Sequence, residues 1–488
     1  MFRKLPRIAS LVFLILSFFT PLNSVAQIPS ESEIAQSPLL GLNKVMTGDF
    51  GGRMLEVRAI RVAVPYSKTF FYNDAGNEIG LLPIVLQDLS IWLNTQYPSS
   101  AKRIPFEVVA YPMKPTQLVP SVIEGRADIA MGGLQTNSEV PGSIDFVEPM
   151  RFPAKEVLVT GPSSPEISDI LQLSGQTLYI RPQLRNHDGI IKLNETLRTN
   201  KKSPVKIVAL PENLDDEGAL EMVNAGLIPN TVTYDWMVSM WSKALPKIKP
   251  HPNIIINDDV RMGWAIRKDN PELKQVLQKF IDFEMKHSRA LFGEWESYAN
   301  HVSKLTDSRD LISQKRYQES IRYFQTYGAQ YNFDPLMLAA MGYQESRLNQ
   351  SARNPSGAIG VMQLLPSTGK LMNVGDITSL ESNIHAGSKY LDYLMAQGSL
   401  GQDLSPENRD LFAFASYNAG PHNIAKARQL AIEKGLNPNI WLDNVEIAVA
   451  QLVGIQTTDY VRNIYRYYIA YRLAKNLELQ EKQSDQYK

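Results

Sequence analysis

The sequence predicts a multidomain chain: an α/β module over residues 55–300, followed by an all-α module over 310–480. Three observations predict it. With 488 residues the chain is too long for one hydrophobic core. In its first part, β-branched runs alternate with helical stretches, the pattern of α/β layers with largely parallel strands. Past Asn270-Pro271 the strand signal fades and apolar residues recur at helical spacing.

At the N-terminus, Arg3, Lys4 and Arg7 precede an apolar run from Ile8 to Thr20, and Ser24-Val25-Ala26 supplies small residues at a cleavage site. This is the layout of a secretory signal peptide over 1–26. The run is shorter than the ~20 apolar residues needed to cross a bilayer. With no cysteine at the site, a lipid-anchored lipoprotein is excluded, and the mature protein is expected to be exported. Residues 27–54 are polar and read as a linker. Val57 to Val64 then forms a strand-like run ended by Pro65, with turn-prone Asn73-Asp74-Ala75-Gly76 beyond it. A helix is expected over Leu82–Leu93. The alternation continues with Phe106–Ala110 and Leu118–Glu124, Ile129–Met131, Val157–Val159, Thr177–Ile180 and Ile190–Leu197, and Val205–Ala209 and Leu220–Ala225. A polar stretch at 303–313 is expected to join the modules. In the helical part, breaks are expected at Pro335, Pro355, Pro366, Pro406 and Pro421.

Composition narrows the chemistry. Fifty basic residues balance fifty acidic ones, which argues against a broad nucleic-acid surface. There is no cysteine, so disulfides, thiolate catalysis and cysteine-ligated metals are excluded. The six histidines are scattered, so no metal site and no cofactor are expected.

Asp334-Pro335 is a strong helix start, with a side-chain acceptor at the N-cap and proline in the first turn. The helix should run through Glu345. Leu338, Met341 and Glu345 share one face, so the carboxyl is expected to be partly desolvated near a helix C-terminus. Both effects favour the protonated acid that glycosidic-bond cleavage requires. Taken alone, the position favours a surface Glu paired with Arg347.

Downstream stand Asn354-Pro355-Ser356-Gly357-Ala358-Ile359-Gly360-Val361-Met362-Gln363 and Ser416-Tyr417-Asn418-Ala419-Gly420-Pro421. With Glu345-Ser346 before them and Tyr460-Val461 after, this ordered set resembles the lytic transglycosylase family of goose-lysozyme-like fold. Two departures are Asn354 where many members have Ser, and Gln456 where the last motif commonly has Glu. The resemblance implies Glu345 as catalytic acid. Substrate contacts would come from Ser346, Gly357, Gly360, Met362, Gln363, Tyr417, Asn418 and Tyr460. The glycines would let backbone approach a sugar, Gln363 would offer an amide, Met362 an adaptable wall, and the tyrosines stacking faces.

Glycoside hydrolysis ordinarily uses two carboxylates, yet no acidic residue lies between Glu345 and Asp376. In the resembling family a lone acid cleaves the β-1,4 bond between N-acetylmuramic acid and N-acetylglucosamine, and the C6 hydroxyl of muramic acid closes a 1,6-anhydro end. Asp376 or Glu381 acting as a distant base would instead make a hydrolytic muramidase. A third reading is a sensor that only binds peptidoglycan.

Residues 55–300 resemble type 2 periplasmic solute-binding proteins, through Ile60–Tyr66, Gly80, Ile123-Glu124-Gly125-Arg126-Ala127-Asp128 and Ile144-Asp145-Phe146-Val147-Glu148-Pro149. Leu173–Leu178 looks like entry into a second lobe and Trp264–Lys268 like return to the first. Amino-acid binders carry an arginine five residues before the Asp of the D-F pair, and Val140 stands there instead. Arg151, Arg181 and Arg185 are candidate substitutes, although a solvated surface role is the favoured reading for any one of them. The full expectation is an α/β two-lobed periplasmic-binding-protein-like domain followed by an all-α lysozyme-like domain. Its partners would be peptidoglycan glycan strands and, in the N-terminal cleft, a muropeptide or amino acid. The tandem resembles membrane-bound members of the transglycosylase family. That implies a periplasmic protein, peripheral on the outer membrane, whose first module regulates the second.

Overall fold

A computed structural model describes residues 44–98, 105–136, 141–149, 153–181, 188–287, 314–397 and 404–486. The expected signal peptide, most of the linker, the 303–313 junction, Val140, Arg151 and Arg185 lie outside them.

The end of the expected linker is not loose chain. Phe50–Met54 forms a helical turn running into Leu55–Val57. Phe50 and Met54, four apart and so on one face, are both buried, with Phe50 stacked on Phe106 at 5.9 Å. The first lobe is a five-stranded sheet in the order β4-β1-β5-β12-β6. These strands are Glu107–Met113, Ala59–Pro65, Ile129–Ala130, Trp264–Arg267 and Ile144–Val147. Helices α1 (Leu81–Gln96) and α2 (Leu118–Ile123) belong to this lobe, and α6 (Pro271–His287) returns to it. Under it, the carboxylate of Asp128 is wholly buried among Arg61, Arg53 and Arg267. Burial alone would raise its pKa, but the bonds from Arg61 and Arg53 hold it below the ordinary value.

The second lobe holds a three-stranded sheet, β10-β7-β11 (Asn230–Tyr234, Ala154–Thr160, Lys249–Val260). Beside it lie the pair β8 (Thr177–Ile180) and β9 (Lys206–Ala209) and helices α3 (Asp188–Thr199), α4 (Asp216–Asn224) and α5 (Asp235–Trp241). The expectation of largely parallel strands needs correction. β1 is parallel to β4 and β5, and β8 to β9, but β7 is antiparallel to both its neighbours and β12 to both of its own. The chain passes between lobes after β6 and returns after β11, so the returning strand pairs head to tail. A hairpin of β2 (Tyr72–Asp74) and β3 (Asn77–Ile79) brackets the predicted turn.

From residue 314 the described chain is helical: α7 (Gln314–Tyr331), α8 (Pro335–Ser346), α9 (Pro366–Met372), α10 (Leu380–Gln397), α11 (Pro406–Ala419), α12 (Pro421–Glu433), α13 (Glu446–Val453) and α14 (Ile455–Gln486). The apolar core of this module is continuous with that of the second lobe. The first lobe is tied in through the β2–β3 hairpin, where Ala75 N–H donates to the Ala450 carbonyl (2.9 Å) and Asp74 accepts from Ile455 N–H (2.9 Å). Arg462 of α14 is half-buried and bridges Glu446 (2.7 Å), Asp443 (3.0 Å) and, across the interface, Asp215 (3.4 Å).

The lobes meet over the loop after β1. Thr69 N–H donates to Glu217 of α4 (3.0 Å), Trp241 donates to the Thr69 hydroxyl (3.0 Å), and Phe70 packs edge-on to Trp236. Glu217 is wholly buried, and burial, then the charge of Asp215, push its pKa up to about 8. The folded state therefore keeps a proton that the unfolded chain releases above the ordinary value of 4.5, so this group's share of stability declines as pH rises from about 4.5 to 8. Glu217→Gln keeps a neutral acceptor for Thr69 and removes the decline. His251 and His385 slope the other way, because burial lowers both, so the check is the difference between the two proteins. Chemical denaturation at pH 5 and pH 8 should show the variant gaining on the parent by on the order of 2 kcal/mol.

Candidate active site

Helix α8 forms as its cap predicts: Asp334 Oδ1 accepts from Leu336 N–H (2.7 Å) and Met337 N–H (3.4 Å), with Pro335 in the first turn. Leu338 and Met341 are fully buried, and Glu345, one turn on, is half-buried. The helix ends at Ser346, and the next two residues, Arg347 and Leu348, are left-handed with φ of 56° and 57°. Two consecutive non-glycine residues in that region are costly, and such strain tends to collect at functional sites. The chain is thereby turned away directly after Glu345.

A cavity of about 490 Å³ opens there, lined by Gln344, Glu345, Ser346, Arg347, Asn418 and Tyr460. Tyr460 of α14 is buried and its hydroxyl donates to Glu345 Oε1 at 2.5 Å. Burial and the Glu345 charge hold both Tyr460 and Tyr417 well above the ordinary phenol pKa. Both hydroxyls thus stay protonated and act as fixed donors. Tyr417 donates to the Met362 carbonyl at 2.6 Å, while Asn418 accepts from Thr457 at 2.8 Å. The last motif, which has Gln456 where Glu is common, therefore reaches the site twice, through Thr457 and Tyr460.

The loop between α8 and α9 takes the turn its glycines suggest. Gly357 and Gly360 have φ of 86° and 79°. At Gly360 a Cβ would lie 2.5 Å from Asn383 Nδ2 and 2.7 Å from Gln350 Nε2, so both the backbone and the space require glycine. Ser346 Oγ donates to the Val361 carbonyl (2.9 Å) and joins the loop to the end of α8. Gln363 is half-buried at φ 45°, its amide donating to the Gly360 carbonyl (2.8 Å). Met362 is placed differently from its expected role as a wall: its side chain is fully buried against Gly387, and it meets the site through its carbonyl.

Asn383 was not singled out by sequence. It is fully buried on α10, accepts from Met362 N–H (2.8 Å) and donates to the carbonyls of Ile359 (2.9 Å) and Ile377 (3.0 Å). Neither candidate second carboxylate lines the cavity. Asp376 is exposed and held by Thr378, and Glu381 accepts from Tyr327 (3.0 Å). Asp459, beside Tyr460, turns instead to Lys68 of the first lobe at 2.9 Å. Among the described lining residues, Glu345 is the one carboxylate.

A second cavity of about 270 Å³ adjoins the first and shares Gln344, Asn418 and Tyr460 with it. Lys68, Glu221, Asp459 and Arg466 line its interdomain side. In the N-terminal module, Arg181 is buried and taken by Asp216 (3.6 Å) and the Glu212 carbonyl (3.3 Å), so it is not the solvated residue that was one reading of it.

Known proteins share both modules. The transglycosylase SLT domain family matches residues 322–440, and the bacterial extracellular solute-binding proteins, family 3, match 98–295. Membrane-bound lytic murein transglycosylase F of Shewanella frigidimarina is 27% identical over 386 residues, covering 75% of this chain and 77% of that protein. The protein of the same name from Shewanella denitrificans is 24% identical over 464 residues, 88% and 87% of the two chains. That from Haemophilus influenzae is 29% identical over 302 residues, 57% and 60%. Among solved structures, an ancestral arginine-binding protein bound to arginine covers 50% of this chain and 97% of its own at 17% identity and a TM-score of 0.38.

Proposed function

We propose that this chain, a homologue of the membrane-bound lytic murein transglycosylases that joins a solute-binding domain to an SLT transglycosylase domain, cleaves the β-1,4 bond between N-acetylmuramic acid and N-acetylglucosamine and leaves 1,6-anhydro ends. The observation that carries this reading is the single carboxylate in the cavity, held by Tyr460. Glu345 gives its proton to the bridging oxygen as the bond to C1 breaks. The resulting carboxylate takes the proton of the muramic C6 hydroxyl, whose oxygen bonds to C1. The nucleophile belongs to the substrate, so no second carboxylate and no water is needed. Ser346, Gly357, Gly360, Met362, Gln363, Tyr417 and Asn418 shape the surrounding cleft; for Met362 this is through its carbonyl. The test is to digest purified sacculi and weigh the muropeptides. Anhydro-ended products support the reading, products heavier by one water support a hydrolase, and no product dependent on Glu345 supports a binding module.

The solute-binding fold suggests an amino-acid-type ligand, and we place the protein in the periplasm, acting on the glycan strands. Its described residues include no helix long and apolar enough to cross a membrane. Coupling between the modules has a physical route. Lys68 comes from the loop that meets the second lobe, and it is paired to Asp459, the neighbour of Tyr460. Glu221 of the second lobe shares that Lys68 at 3.6 Å. A ligand that moves one lobe against the other would pull on this node, provided it binds the two arrangements unequally. Muropeptides or free amino acids should then change the cleavage rate of the parent and lose that effect in Lys68→Met. An unchanged response in the variant would rule out this route.

A further inference from the structure

The interdomain cavity of about 270 Å³ shares a wall of Gln344, Asn418 and Tyr460 with the cavity at Glu345. A molecule seated at Glu345 can therefore extend from one into the other. Five carboxamides line the interdomain cavity: Asn224 at the end of α4, Gln344 of α8, Asn418 of α11, and Gln456 and Asn463 of α14. Three of them have their oxygens taken. Asn418 accepts from Thr457 (2.8 Å), Asn224 from Lys247 N–H (2.9 Å) and Asn463 from Arg466 (2.8 Å), which leaves the NH2 of each as a donor. Gln344 supplies the opposite: its Oε1 is buried and accepts no hydrogen bond among the described residues. Buried polar atoms are almost always bonded, so an orphaned acceptor on a cavity wall calls for a donor from a ligand. Lys68, Asn224 and Arg466 are each more than nine-tenths buried, so the site is built into the protein rather than laid on its surface. Lys68 and Arg466 face Glu221 and Asp459, which puts both signs of charge on the interdomain side. Met222 and Leu245 of the second lobe add an apolar patch.

We propose that this cavity is a subsite for the peptide stem that N-acetylmuramic acid carries on its lactyl group, held while the sugar lies at Glu345. The proposal rests on the reading of the Glu345 cavity as a glycan site. Amide donors from the asparagines and an acceptor from Gln344 match the C=O and N–H groups of a peptide backbone. Charged groups of both signs match a stem that carries carboxylates and an ammonium. The volume lies just below the ~300–1,000 Å³ of ordinary ligand pockets, which suits a short branch rather than a continuing strand. Glu221, Asn224 and Ala225 come from the second lobe, so the solute-binding module supplies part of the substrate site itself. The enzyme thereby selects muramic units that still bear their peptides over stripped ones.

The test uses a tetrasaccharide of alternating N-acetylglucosamine and N-acetylmuramic acid, with its peptides and after their removal. Binding of each is measured to the full chain carrying Glu345→Gln. Turnover is blocked, so the result stands apart from the identity of the reaction. The peptide-bearing form should bind about tenfold more tightly, the scale of one or two hydrogen bonds. Ala225 lines the interdomain cavity and not the catalytic one. Ala225→Phe in the same background should fill the cavity and abolish the advantage, while the stripped form binds as before. Gln456 is exposed, so Gln456→Ala leaves the core untouched and should cut the advantage at least about twofold, the scale of one hydrogen bond. If Ala225→Phe fails to fold, Gln456→Ala decides. Equal binding of the two forms by Glu345→Gln, or an advantage that neither substitution reduces, overturns the proposal; the second result puts the peptide elsewhere, as in the cleft between the lobes. If sacculi yield no anhydro products while the advantage depends on Ala225 or Gln456, the transglycosylase reading fails and the subsite stands.

Discussion

Replacing Glu345 by Gln should lower cleavage of sacculi by about a thousandfold or more while leaving the fold intact. The amide matches the carboxyl in shape and can still accept from Tyr460, so the packing of α8 against α14 is unaffected. What it cannot do is give a proton to the leaving oxygen and then take one from the C6 hydroxyl. General acid–base catalysis by one positioned group contributes about 10² to 10⁴, and in the proposed mechanism one residue serves in both directions. Asp376 and Glu381 are committed elsewhere and do not line the cavity, so neither is placed to substitute. Glycan binding by the variant should persist, which separates loss of chemistry from loss of the site. A variant that retained more than about a tenth of the parent rate would show that another group carries the proton.

Much of this centre was legible because its determinants are local. Asp334-Pro335 announces a helix whose length then places Glu345 on the face of Leu338 and Met341. The two glycines announce a turn that only a residue without a Cβ can make. What was not legible depends on contacts between distant segments. Met362 looked like a wall because Met is adaptable, but whether it faces the cleft or the core is decided by Gly387, a residue far along the chain. The antiparallel pairing of β12 follows from a return crossing that no run of residues encodes. Lys68 carries no local pattern, although it reaches the helix that positions Tyr460. Phe50 and Met54 were a missed local signal, an apolar pair at helical spacing inside a stretch read as linker.

Asn383→Ala should be the most damaging substitution away from the cleft itself. Its amide satisfies the Met362 N–H and the carbonyls of Ile359 and Ile377 from a fully buried position, and a Cβ on Gly360 would run into it. Truncation leaves the buried Met362 N–H without its acceptor and opens a polar void, while the Ile359 carbonyl keeps Leu364 N–H and the Ile377 carbonyl keeps Gln350. Such a loss costs on the order of 2 kcal/mol, because the orphaned N–H keeps its desolvation penalty. The effect should reach activity as well as stability. Met362 is gripped from both sides, its N–H by Asn383 and its carbonyl by Tyr417, so releasing one grip loosens the other and Tyr417 beside Glu345 with it. Denaturant unfolding should show the lost stability. Hydrogen exchange should show the Met362 amide opening well before the global transition, and cleavage by the folded fraction should fall. A variant that is less stable overall, yet keeps that amide protected and cuts at the parent rate, would reduce Asn383 to a packing residue. The opposite outcome makes it the strut on which the glycine loop and Tyr417 both rest.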